Sequence, residues 1–122
     1  MSAKVLIVED DDATRDGLRR LLAGAGYAPI VAASFPEGLR LLDGEKPDLL
    51  LVDVRLGEYN GLQLVIAAQR KVPAIVLTGH ADPVLAEDAH NEGADYLVKP
   101  VQPQRLLELM GRLLESARQR HA

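Results

Sequence analysis

Glu9 and Asp10, Asp53, Thr78 and Lys99 are the side chains of this sequence best suited to chemistry, and each stands at the end of a short apolar run. The runs are Val5-Leu6-Ile7-Val8, Leu49-Leu50-Leu51-Val52, Ala74-Ile75-Val76-Leu77 and Tyr96-Leu97-Val98. Carboxylates brought to one place repel by roughly 4 kcal/mol per pair at about 4 Å and an effective dielectric near 20, so a cation has to compensate them. A hard divalent ion meets that need, and Mg2+ typically takes one or two protein carboxylates and keeps positions open for phosphate oxygens. An ammonium and a hydroxyl beside it share the charge that spreads over the oxygens of a transferring phosphoryl group. An aspartate can itself be the nucleophile, giving an acyl phosphate. Taken alone, Asp53 is a helix cap, a metal ligand or a nucleophile.

These residues work together only if the chain folds so that the four runs end on one edge. Each run is short, lacks polar alternation and is flanked by turn-formers, which reads as a strand buried on both faces. A shorter strand is expected over 27–32. Between the runs lie helical patterns. Leu18, Leu21, Leu22 and Ala25 form one apolar stripe, closed by Gly24-Ala25-Gly26. Ser34-Phe35-Pro36-Glu37 has the form of a capping box ahead of a helix through Leu39, Leu41 and Leu42 that Gly44 ends. Asn60-Gly61 launches a short helix with Leu62, Val65, Ile66 and Gln69, and Asp82-Pro83 an acidic, weakly anchored one to Asn91. The last helix begins near Gln102-Pro103 and carries Leu106, Leu107, Met110, Leu113 and Leu114, with Glu108–Arg112 and Glu115–Gln119 pairs outside. Strands alternating with helices imply right-handed crossovers: an α/β fold with a doubly wound, five-stranded parallel sheet and five helices. Ligands in such sheets gather outside the carboxyl ends of the strands.

Composition narrows the alternatives. The chain has 122 residues, 48% of them apolar and 26% charged, enough for one domain with its own core. No cysteine is present, so neither disulfides nor thiol chemistry enters. A net charge of -4 argues against nucleic-acid contact by this domain. His80, His90 and His121 are too scattered for a zinc site, and no apolar run is long enough for a signal peptide or a membrane span, so a cytoplasmic location is expected. Asp11 and Asp12 read as helix-end residues, Tyr59 and the histidines as surface, and Glu87, Asp88, Glu92 and Asp95 as a solvated acidic face.

At this level of detail the chain resembles a known family, the receiver (REC) domains of bacterial two-component response regulators. The resemblance rests on Val8-Glu9-Asp10-Asp11, on Leu51-Val52-Asp53 with Gly61 eight residues on, on Leu77-Thr78-Gly79, and on Gly93-Ala94-Asp95-Tyr96-Leu97-Val98-Lys99-Pro100. It spans essentially residues 1–122 as a single receiver domain, stand-alone or excised from a longer regulator. It implies the flavodoxin-like strand order 2-1-3-4-5, which motif spacing does not supply. It further implies that Asp53 accepts a phosphoryl group from a histidine kinase or a histidine phosphotransfer protein. Mg2+ is then held by Asp10, Asp53 and the Arg55 carbonyl, with Glu9 acting through water. Lys99 binds the phosphoryl group, and the Lys99-Pro100 bond is cis. Thr78 and Tyr96 form a switch pair that alters the face of the fourth helix, fifth strand and fifth helix, where a dimer can form on phosphorylation. Such a domain is a signalling module; its only catalysis is self-directed phosphoryl transfer and autodephosphorylation.

Two other classes share this sheet architecture. A flavodoxin places a Ser/Thr/Gly-rich phosphate cradle after the first strand, where four acids stand here and repel a flavin phosphate. A haloacid dehalogenase-like phosphatase needs an acid two residues after its nucleophile, where this chain has Arg55. One departure from the receiver pattern is Gly57, at a position usually held by proline. Glycine there implies a looser loop with access to positive φ over an intact metal site, so that Gly57→Pro changes Mg2+ affinity by less than about tenfold (~1.4 kcal/mol). Arg55 and His80 occupy the variable positions that tune phosphoryl lifetime in the family.

Overall fold

An apolar run without alternation needs cover on both faces, and the computed structural model, which describes residues 2–120, supplies it. Strands β1 (Lys4–Val8), β2 (Ala28–Ala32), β3 (Leu49–Asp53), β6 (Ala74–Thr78) and β7 (Ala94–Val98) form one parallel sheet in the order β2-β1-β3-β6-β7. With the short β4 (Arg55–Leu56) and β5 (Tyr59–Asn60) set aside, this is the doubly wound order 2-1-3-4-5. Successive side chains of a strand point to opposite faces. Val5, Ile7, Leu49, Leu51, Ile75 and Leu77 accordingly pack under α1 (Asp12–Gly24) and α5 (Pro103–Arg120). Leu6, Val8, Leu50, Val52 and Val76 face α2 (Phe35–Glu45), α3 (Leu62–Ala67) and α4 (Pro83–Asn91).

Helix starts follow the capping chemistry written in the sequence. Asp11 accepts the Thr14 amide at 2.9 Å and caps α1; Asp12 lies in the first turn and pairs with Arg15. The Ser34 hydroxyl accepts from the Glu37 amide, and Glu37 reaches back to the Ala33 amide. Asp82 caps α4 through the Val84 and Leu85 amides. Ala89 is the one buried residue of α4.

Several local expectations are corrected. Gly44 lies inside α2, and the left-handed residue that ends the helix is Lys46, at φ 48°. Ile66 points outward at 52% exposure, while Leu62, Leu64 and Val65 bury α3; Gln69 lies beyond its end at φ 54°. Ala25 is exposed at the end of α1. Glu108 accepts from Gln104 rather than pairing with Arg112, whereas Glu115 does accept from Gln119 and also from Arg118. Strand β7 is less completely buried than the inner strands: it forms the edge of the sheet, Ala94 and Leu97 are buried in the two core layers, and Val98 at its end is 39% exposed. His121 lies outside the described residues.

The segment after Asp53 is a small hairpin rather than a loose loop. Arg55 pairs with Asn60 and Leu56 with Tyr59, leaving Gly57-Glu58 as a two-residue turn. Gly57 has φ 61° and Glu58 does not take positive φ, the pattern of a hairpin turn with glycine at its first central position. The Tyr59 ring, expected to be an ordinary surface group, stacks on Phe35 at the start of α2 with centroids 4.6 Å apart. Asn60 Oδ1 then accepts the Leu62 amide and so starts α3.

Candidate functional site

The central strand of the sheet is β3, so its last residue, Asp53, meets the ends of its neighbours on either side. Val8 is in register with Val52, Asp53 with Leu77, and Thr78 with Val98. The turns that leave β1 and β7 therefore deliver Glu9 and Asp10, and Lys99, to the carboxyl edge of β3, and the last residue of β6 places Thr78 there. Among the described residues the buried polar or charged side chains are Glu9, Asp53 and Thr78, all on this edge.

Glu9, Asp10 and Asp53 come together so that one carboxylate oxygen of each lies within 4.8 Å of the others. Lys99 closes the cluster, with Nζ 2.7 Å from Glu9 Oε1 and 3.4 Å from Asp53 Oδ1. Glu9 is the most firmly held of the three acids. Its second oxygen accepts the Asp11 amide at 3.2 Å, its own amide donates to Ala32 O, and Arg15 donates to its carbonyl at 3.0 Å. Burial pushes the Glu9 carboxyl above its ordinary range, against the lowering effect of Lys99 and the Asp11 amide, and the Asp53 charge adds to the rise. Burial acts to lower the Lys99 pKa, but the hydrogen bond to Glu9 and the charges of Asp53 and Glu9 outweigh it and raise the value. The ammonium is thus fixed as a cation between two carboxylates.

Thr78 ends β6 beside Asp53, and its hydroxyl is engaged with the next turn, accepting from the His80 amide at 3.3 Å and donating to the His80 carbonyl at 3.2 Å. Tyr96 sits within β7, away from the edge, yet its hydroxyl donates to the same His80 carbonyl at 3.1 Å and accepts the Asp82 amide at 2.8 Å. The two hydroxyls therefore share one acceptor at the start of the β6–α4 connection. Tyr96→Phe removes both bonds of the phenol; with roughly 1 kcal/mol for each, the expected result is a loss of about 2 kcal/mol in urea denaturation and faster amide exchange at Asp82. Unchanged exchange there would show that the ring does not hold this loop.

Arg55 opens the hairpin, exposed, and with Tyr59, Thr78, His80 and Asp82 it lines a depression of about 340 Å³. Two close approaches escaped the sequence reading. Gly61 lies against Asp53 so tightly that a Cβ there would stand 2.1 Å from the Asp53 carbonyl oxygen. The Gly57 amide donates to Asp10 Oδ2 at 3.3 Å, so the loop and the acidic cluster are not separate as expected. The Gly57-Glu58 pair is itself a hairpin signal, but strands of two residues have no periodicity to support it.

The donor set is made of hard oxygen ligands, which suits Mg2+. Both oxygens of Glu9 are already engaged, which leaves Asp10 and Asp53 as the carboxylates with the freer oxygens.

Comparison with known proteins gives a concordant result. The family model described as "Response regulator receiver domain" matches residues 5–111. An uncharacterized 14.6 kDa protein in the sodA1 3′ region of Leptolyngbya boryana is 38% identical over 112 residues, covering 87% of this chain and 86% of that protein. The transcriptional regulatory protein AfsQ1 of Streptomyces coelicolor is 39% identical over 101 residues, covering 80% of this chain and 45% of its own length. The chain thus spans less than half of that regulator. Among solved structures, a CheY-like response regulator receiver domain protein from Methanospirillum hungatei superposes with a TM-score of 0.92 at 32% identity, covering 98% of this chain and 99% of the other.

Proposed function

Because the chain belongs to the response regulator receiver domain family, a family of phosphoacceptor signalling domains, we propose that Asp53 is its phosphoacceptor and that a histidine kinase or histidine phosphotransfer protein is its donor. The observation that carries this reading is the convergence of the buried polar side chains Glu9, Asp53 and Thr78 with Lys99 on one sheet edge. A buried ionised group is costly unless paired, and a fold that keeps three polar groups there uses them for chemistry.

In this reading an Asp53 carboxylate oxygen attacks the phosphorus of a phosphohistidine. The new P–O bond forms as the P–N bond breaks, and the electron pair leaves with the imidazole, which takes up a proton. Lys99 pairs with the charge on the transferred group and moves away from Glu9 to do so. Asp10, Asp53 and the Arg55 carbonyl would hold Mg2+, with the Glu9 carboxylate beside them adding negative charge to the site. When bound, the ion neutralises charge on the phosphoryl oxygens. Thr78 turns its hydroxyl from His80 to the phosphoryl group; that frees the carbonyl it shares with Tyr96 and lets the face of α4, β7 and α5 rearrange for a partner, an output domain or a second copy. Among the described residues no helix is long and apolar enough to cross a membrane. We assign the domain no membrane and no nucleic-acid contact of its own and a cytoplasmic setting.

Adding beryllofluoride, a phosphoryl mimic, with Mg2+ tests this reading. The amide resonances of Asp53, Thr78, His80 and Tyr96 are expected to shift together, and to return when EDTA removes the metal. Resonances that stay in place, or that shift equally without divalent ion, would sink it.

A further inference from the structure

Asp10 is the exposed member of the acidic cluster, whereas Glu9 is 2% and Asp53 7% exposed. One of the Asp10 carboxylate oxygens lies within 4.8 Å of oxygens of Glu9 and Asp53, whose like charges repel it. Among the described residues the only hydrogen bond its carboxylate receives comes from the backbone amide of Gly57, 47 residues away in sequence. That amide is held in place by the hairpin. The turn is closed by the Arg55–Asn60 and Leu56–Tyr59 pairings, β5 is pinned to α2 by the stack of Tyr59 on Phe35, and Asn60 is bound into the start of α3. Positive φ at Gly57 is part of the same turn, and proline in its place has neither the N–H nor that φ.

We propose that the Gly57 amide is a positioning group for the metal site: it holds Asp10 in its ligating orientation before the ion arrives, by donating to Oδ2 and leaving Oδ1 for the cation. The inference rests on the reading of Glu9, Asp10 and Asp53 as the Mg2+ site. It makes the β4–β5 hairpin one wall of that site, fastened to a ligand through a backbone group. Metal affinity then depends on residue 57, although no side chain stands there. A free Asp10 has to be drawn in against the repulsion of its neighbours each time metal binds, whereas a tethered one is already in place.

Calorimetric titration of Mg2+ into wild type, Gly57→Pro and Gly57→Asn tests the inference without any phosphoryl transfer. Asparagine keeps the N–H and tolerates positive φ better than other side chains. The expected result is affinity within about threefold of wild type for Gly57→Asn and a weakening of about tenfold (~1.4 kcal/mol) for Gly57→Pro. A folded Gly57→Pro that binds Mg2+ as wild type does overturns the inference and leaves the metal site standing. Wild type that binds no Mg2+ overturns both. If Gly57→Pro does not fold, amide exchange decides: the metal-free wild type is expected to protect the Gly57 N–H and Asp10→Ala to expose it, and equal exchange rates in the two overturn the tether.

Discussion

Gly61→Ala is expected to cost about 3 kcal/mol or more of folding stability, seen as a fall of roughly 10 °C in melting temperature. The methyl group has nowhere to go. Its carbon would stand 2.1 Å from Asp53 O, 2.9 Å from Asp53 C and 2.9 Å from a Val52 methyl. Two of these atoms are backbone at the end of the central strand, where they cannot swing aside as a flexible side chain does. The Gly61 amide is committed as well, donating to Val54 O at 2.7 Å. The chain therefore has to move either the end of β3 or the start of α3. Movement of β3 displaces the Asp53 carboxylate, so the residual folded protein is expected to bind Mg2+ weakly too. An unchanged thermal transition would mean that the backbone yields here without strain.

Lys99→Met is expected to destabilise the protein by about 3 kcal/mol near neutral pH, the low end for breaking a buried ion pair by removing one partner. The loss lies less in the absent attraction than in what remains: Glu9, 2% exposed, without the ammonium 2.7 Å away. The pH dependence identifies this cause. Burial already raises the Glu9 pKa, and removal of Lys99 takes away an influence that lowers it. A carboxyl whose folded pKa is raised leaves the protein most stable below its unfolded value of about 4.3 and less stable as pH rises through the folded value. The penalty of Lys99→Met is thus expected to be small near pH 4 and to grow as pH rises through the raised Glu9 value. In wild type the raised Lys99 pKa acts at the other end of the scale, its contribution being complete below the ordinary lysine value of about 10.4 and lost as pH rises through the folded one. Urea denaturation across this range checks the trend, and a penalty independent of pH would assign the loss to packing instead.

Much of the fold was legible because each strand buried on both faces leaves an unbroken apolar run, and α1, α2 and α4 begin on side-chain caps written in the sequence. The acids, hydroxyl and lysine were legible as a set for the same reason: a run that stops on a polar residue marks a strand end. The order of the strands was not, since motif spacing is the same for any order; it came from the resemblance to receiver domains. Strand β7 looked as buried as the inner strands because Tyr96-Leu97-Val98 is as apolar as the inner runs, and only the sheet order reveals that it lies at the edge. The hairpin escaped because two strands of two residues carry no pattern, and with it went the stacking role of Tyr59. The Gly57 contact with Asp10 uses a backbone N–H, which every residue but proline has. No residue type announces it.

The central claim is that Asp53 forms the acyl phosphate. Its most direct test is to incubate wild type and Asp53→Asn with Mg2+ and acetyl phosphate and to locate the added mass by peptide mapping. One phosphoryl group is expected, carried on the peptide that contains Asp53, not formed when the metal is chelated before acetyl phosphate is added, and absent from the variant. A label of equal extent in Asp53→Asn, or one that maps to another peptide, contradicts it.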